Sequence, residues 1–210
     1  MKKLIPLFLT LSLVQISIAN ECVVESKSAK YTLHISPEIS NYDRHAFGPN
    51  HFWQWVDADQ DCQNTRAEIL ISSSLTPITL TADKCHVLNG LWLDPYSGNL
   101  FENAKDLDID HIVPLKELHE SGAADLGANE KILLANSLLG PSNLIAVWNS
   151  LNRSKRDLEP HQWLPPNIEY KCEYLSKWLK VKHHWGLSVD YDECVGLQHL
   201  YIDCPNQSNN

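Results

Sequence analysis

Six cysteines, Cys22, Cys62, Cys85, Cys172, Cys194 and Cys204, constrain this chain most, because all of them follow an N-terminal stretch suited to export. MKKLIPLFLTLSLVQISIAN carries Lys2 and Lys3, a largely apolar run from Leu4 to Ile18, and Ser17-Ile18-Ala19 as a small-x-small cleavage site. It reads as a signal peptide over residues 1–19. The run is shorter than the roughly 20 apolar residues a membrane span needs, and no later segment approaches that length. The expected location is secreted or periplasmic, with no membrane anchoring after cleavage. An even cysteine count in an oxidising compartment implies disulfides. Residues 20–210 are long enough for one domain with a real core.

Helical spacing limits how the cysteines can pair. Ile168, Cys172, Leu175 and Leu179 fall on one helix face. Gly186 supplies a stop, and Asp190 with Glu193 resembles a capping box for a second helix burying Cys194, Leu197 and Tyr201. Folding those helices back on each other, with equal rise on both sides, sets Cys172 opposite Cys204. Cys62–Cys85 is then the local pair and Cys22–Cys194 the remainder. With no C-x-x-C, structural zinc and thiol redox chemistry have no support.

Along the chain, an arm without clear pattern runs to about Asn50. A helix is expected from Asn64, then a hairpin turning at Asn89-Gly90 and a further turn from Pro95 to Gly98. In DLDIDHIVPL, Asp106, Asp108 and Asp110 take alternate positions of an apolar run that ends Asp110-His111. As a strand, it turns Leu107 and Ile109 to a core and the aspartates to the opposite face. One or two helices follow between Leu115 and Leu139, Gly140-Pro141 breaks the chain, NLIAVW reads as a strand, and NSLNRSKRD reads as a helix.

That helix places Asn152, Lys155 and Arg156 on one face. An Asp and an Asn oxygen, completed by water and substrate phosphate, suit Mg²⁺, a hard ion that keeps several waters. His111, with an ordinary pKa of about 6.5, can take a proton from water. The backbone should bend at His111 so that it and Asp110 serve one site, and Pro114 favours a bend.

DHIVPL followed by NLIAVWNSLNRSK resembles the HNH, or His-Me finger, ββα-metal nucleases, in the spacing of the HNH domain of RNA-guided CRISPR effectors. YDRHAF, WVDADQDCQNTRAEIL, DIDHIVPL, NRSK, WLPPN and CEYLSKW are similar to exported bacterial HNH proteins related to the C-terminal domain of GmrSD restriction enzymes. The resemblance implies an α+β fold: a ββα-metal core over about 106–157 with added helices, a β-hairpin, a C-terminal helical hairpin and disulfides. It further implies that Asp110 and Asn152 ligate Mg²⁺ (or another divalent cation such as Mn²⁺), that His111 is the general base, and that Asn143 holds the His111 loop. Arg153 and Lys155 would meet phosphate, with Arg156 on the same basic face. The function implied is an exported endonuclease of low sequence specificity that hydrolyses DNA, with RNA a second candidate substrate. The segment Lys116 to Ser142 departs from the pattern as a long insert between the two strands.

The net charge of −9, or −11 without Lys2 and Lys3, makes the protein no general polyanion binder, so nucleic-acid contact must be local. From Asn143 to Gly186 seven Lys/Arg face four Asp/Glu, the one stretch with a positive balance. In DADQDCQNTRAE, Asp57, Asp59, Asp61 and Glu68 occupy calcium-loop positions, but Cys62 stands where such loops turn on glycine. A Ca²⁺ site and a structural acidic turn both remain open there, with Arg66 a candidate internal partner for the carboxylates. Asp108 either extends the metal site or faces solvent. His119, His161, His183, His184 and His199 read as surface or packing residues, and the tryptophans as core anchors with one free to stack on a base. The alternative of another class is a non-catalytic exported module that binds calcium or nucleic acid.

Overall fold

The computed structural model describes residues 20–27, 29–39 and 41–205; the expected signal peptide, 1–19, lies outside them. The arm is patterned after all. β1 (Glu21–Glu25) and β2 (Lys30–His34) pair antiparallel with Cys22 facing Leu33, and each alternates buried and exposed residues. Cys22, Val24, Tyr31 and Leu33 supply its buried side. Two strands alone are marginal in water, and this hairpin persists because it packs on the C-terminal helices and is tied to one of them by Cys22–Cys194.

α1 (Thr65–Ser73) begins at Asn64, whose side chain accepts from the Ala67 N–H, as an N-cap should. Asn89-Gly90 is not a turn. It lies inside β4 (Val87–Leu93), which pairs with the short β3 (Thr79–Leu80) on one edge and β5 (Leu100–Asn103) on the other. Glycine is needed at position 90 for close approach: a Cβ would sit 2.6 Å from Ser74 Oγ and 2.8 Å from the Trp92 ring. The turn at Pro95–Gly98 is present, closed by Gly98 N–H to Asp94 O.

β6 (Leu107–His111) and β7 (Leu144–Trp148) pair antiparallel, Ile109 opposite Ala146 and His111 opposite Leu144. Asp106 belongs to the short 3-10 turn before β6. Leu107, Ile109, Leu144 and Ala146 pack against Leu70 of α1 and Trp92 of β4 in the smaller of two cores. The other face meets α4 (Asn149–Lys155), which starts directly after β7. Between the two strands lie α2 (Leu115–Glu120) and α3 (Ala128–Asn136).

α5 (Lys171–His184) and α6 (Tyr191–Tyr201) form the C-terminal helical hairpin and line the larger core with Tyr174, Leu175, Trp178, Leu179 and Leu197. Asp190 caps α6 by accepting from Glu193 N–H. Glu193 does not complete the box: its carboxylate accepts from Trp178 Nε1 at 2.6 Å and from buried Lys182. All three expected disulfides are present, Cys22–Cys194, Cys62–Cys85 and Cys172–Cys204. The fold is thus mixed α+β with small sheets, six α-helices among the described residues and three disulfides. No described helix is long and apolar enough to cross a membrane.

Candidate active site

His111 ends β6, where the chain leaves the sheet for α2. Asn143, 2 % exposed at the mouth of β7, secures that exit. Its Oδ1 accepts from Val113 N–H and its Nδ2 donates to Val113 O, both at 2.8 Å, and its own carbonyl takes Ile112 N–H. An asparagine matches both groups of one residue's backbone, as neither aspartate nor a hydroxyl side chain can.

The His111 ring is buried, stacked on Trp55 (centroids 5.4 Å apart) and met edge-on by Trp53. Its Nε2 lies 2.8 Å from Ala135 O. A carbonyl can only accept, so Nε2 carries the proton and Nδ1 the free lone pair. Burial pushes the imidazole down to about 3, helped by the charges of Lys155 and Arg44 against the Ala135 carbonyl. The ring is neutral throughout the physiological range.

Asp110 is buried rather than solvated. Lys155 Nζ lies 3.0 Å from Oδ1 and 2.9 Å from Oδ2, and Tyr96 OH donates to Oδ2 at 2.6 Å. Burial raises the Asp110 pKa against the pull of Lys155 and Tyr96, and lowers that of Lys155 against Asp110. Lys155 also donates to His111 O at 2.8 Å. Lys155, expected to meet phosphate, has a fully buried side chain, and all three identified contacts of its ammonium are internal. It balances the carboxylate line from inside. Asp108 is balanced from α4 instead, by Asn152 Nδ2 at 3.2 Å and, more loosely, by Arg153 Nε at 3.8 Å.

Asp110, His111 and Asn152 line one cavity of about 320 Å³ with Tyr42, Arg44 and Arg156. Arg153 is exposed beside it on α4. Several residues of this neighbourhood carry no local signal of a place in it. Tyr96 sits in an ordinary D-P-Y-S-G turn that only the fold brings to Asp110, and Trp53 and Trp55 resemble the other tryptophans until they meet His111.

At the acidic loop, Asp57, Asp59 and Asp61 bring one carboxylate oxygen each within 4.8 Å of one another. Asp57 accepts from Gln60 and Cys62 N–H, and Cys62 takes the left-handed conformation (φ 76°) that glycine supplies in calcium loops. Burial and then the three aspartates raise the Glu68 pKa. Arg66 does not pair with these carboxylates; it donates to Ala104 O and Leu107 O at 2.9 and 2.8 Å.

Three disulfides on a mixed α+β frame define a protein of the extracellular type. Residues 65–193 match the model of the C-terminal domain of GmrSD restriction endonucleases, and the chain belongs to that nuclease-related family. It is also similar to an uncharacterized secreted protein of Arthroderma benhamiae, 36 % identical over 153 residues, which cover 73 % of each chain. No solved structure matches. The three disulfides and that relative agree with the expected location, secreted or periplasmic.

Proposed function

We propose that this protein is an HNH (His-Me finger) endonuclease that hydrolyses DNA phosphodiesters with low sequence specificity, and that β6, β7 and α4 form its ββα-metal core within a single domain over 20–210. One observation carries the reading. Asp110 and His111 from β6 and Asn152 from α4, far apart in sequence, line the same cavity.

The donor set suits a divalent cation. Asn152 spends its Nδ2 on Asp108, and no described donor bonds its Oδ1, the atom a hard ion takes. The Asp110 carboxylate accepts from Lys155 and Tyr96 and, with about four lone-pair sites, retains acceptor capacity. Asp110 and Asn152 would hold Mg²⁺ or Mn²⁺, which would supply stabilisation of the charge that builds on the phosphate and the leaving oxygen.

The remaining chemistry belongs to the chain itself. His111 Nδ1 takes the proton of the attacking water, since Nε2 is held by Ala135 O and the ring is neutral. Asn143 fixes the backbone beyond His111, and the Trp55 face restricts rotation of the ring. Arg153 and Arg156, both exposed on or next to α4, meet phosphate oxygens. Lys155 keeps the Asp110 carboxylate ionised and oriented.

The test is incubation of the purified protein with supercoiled plasmid, single-stranded DNA and RNA, with Mg²⁺ or with EDTA, alongside Asn152→Ala. The reading expects Mg²⁺-dependent cuts leaving 5′-phosphate ends, blocked by EDTA and reduced in the variant. A folded wild-type protein that cuts none of the three overturns it and favours a binding module.

A further inference from the structure

Five cations lie on or beside the His111 cavity, and they are not equivalent: Arg153 of α4 faces Asp108 at 3.8 Å. Lys155 is buried and bound to Asp110. Lys116 is held between Glu120 and Asp157, at 3.3 and 3.4 Å. Among the described residues, Arg44 and Arg156 have no carboxylate within ion-pair distance, although both line the cavity. Arg156 follows the catalytic helix, but Arg44 comes from a different part of the chain, the 3-10 turn Arg44–Phe47.

The local chain keeps Arg44 unpaired. Its neighbour Asp43 accepts from His45 N–H at 2.9 Å and faces His51 Nε2 at 2.8 Å, so that carboxylate is committed elsewhere. Gly48 lets the chain double back: a Cβ there would lie 1.9 Å from Phe52 O. The return carries Trp53 beneath Arg44, whose guanidinium carbon stands 4.9 Å from the ring centroid. The same Trp53 ring meets His111 edge-on at 5.6 Å. One indole thus fixes the guanidinium by its face and abuts the imidazole. An exposed arginine held by a ring, without an acidic partner, offers its planar fork of donors to an anion.

On the nuclease reading above, we propose that Arg44 binds a phosphate of the substrate strand in the His111 cavity, the task that buried Lys155 cannot perform. Arg44 is then a substrate-binding residue supplied by the segment before α1, and Trp53 is its mount.

The test measures binding of a short fluorescein-labelled single-stranded oligonucleotide by anisotropy in Mg²⁺, across a salt series. The full secreted chain carries His111→Asn so that the probe stays intact. Adding Arg44→Ala should weaken binding by about 10- to 100-fold, as loss of one charge-assisted contact does. It should also reduce the slope of log affinity against log salt by about 0.7, the counterion share of one phosphate contact on a single strand. Arg44→Lys should restore the slope and only part of the affinity, because an ammonium lacks the fork. Wild-type affinity in Arg44→Ala overturns the proposal, and so does weaker binding with an unchanged slope, which would mean a packing role. If the wild-type chain cleaves nucleic acid and Arg44→Ala binds normally, only the Arg44 assignment fails; if the wild-type chain neither binds nor cleaves, the nuclease reading fails with it.

Discussion

Lys155→Met is the perturbation that most sharply separates two roles for one residue. A phosphate-binding lysine can be removed with little effect on folding. Here the ammonium is fully buried, bonded to both oxygens of Asp110 and to His111 O. Its removal leaves the Asp110 carboxylate buried with only Tyr96 and without a counter-charge. Breaking a buried ion pair in this way costs about 3–5 kcal/mol. For a chain of this size, about 2–4 °C per kcal/mol translates that into a fall in Tm of about 6–20 °C. Asp110→Asn in the same chain removes the stranded charge and keeps an acceptor for Tyr96, so the double variant should recover at least about 2 kcal/mol relative to Lys155→Met. Thermal unfolding of wild type, both single variants and the double variant gives the coupling directly. Lys155→Met melting within about 2 °C of wild type, with weakened oligonucleotide binding, would refute the internal role and return Lys155 to the phosphate.

Asn143→Ala strands the buried N–H and C=O of Val113, and should cost about 2–4 kcal/mol by denaturant titration while lowering kcat more than it raises KM. Replacing Cys22 and Cys194 by serine opens a link spanning 172 residues; stability should drop by about 2–5 kcal/mol, with β1 and β2 the first to lose amide protection in hydrogen exchange. Burial pushes Glu193 up to about 7 and Glu159 up to about 9, Lys182 opposing and neighbouring carboxylates adding to the rise. Both groups hold protons better in the fold than in the unfolded chain, so their contribution is complete below the ordinary carboxylate range and is lost as pH rises through about 7 and then about 9. Tm should therefore fall between pH 6 and 9.5, and Glu159→Gln should flatten the upper part of that decline; an equally steep fall in the variant counts against the assignment.

Sequence patterning made some elements legible for definite reasons. Period-2 alternation in DLDIDHIVPL and the apolar NLIAVW define β6 and β7, because one face of that pair is a core. The Cys172–Cys204 bridge follows from the equal rise of two helices folded on a short turn. Other features depend on distant packing. Helical spacing places Asn152, Lys155 and Arg156 on one face, yet nothing local says that Asp110 and Tyr96 close over Lys155 alone. Asn89-Gly90 is a good turn dipeptide, and it is overridden because β4 has partners on both edges and Trp92 needs the space beside Gly90. β1 and β2 alternate correctly, but so short a hairpin is stabilised by α6 and Cys22–Cys194, far off in the chain.

In the proposed mechanism neutral His111, with Nε2 held by Ala135, is the proton acceptor in a hydrolysis at this cavity. Comparing plasmid nicking in Mg²⁺ by wild type and His111→Asn, each verified as folded by circular dichroism and retaining oligonucleotide binding, addresses it directly. The rate of the variant should be lower by about 10²- to 10⁴-fold with binding preserved. Nicking at the wild-type rate by the folded variant would contradict it.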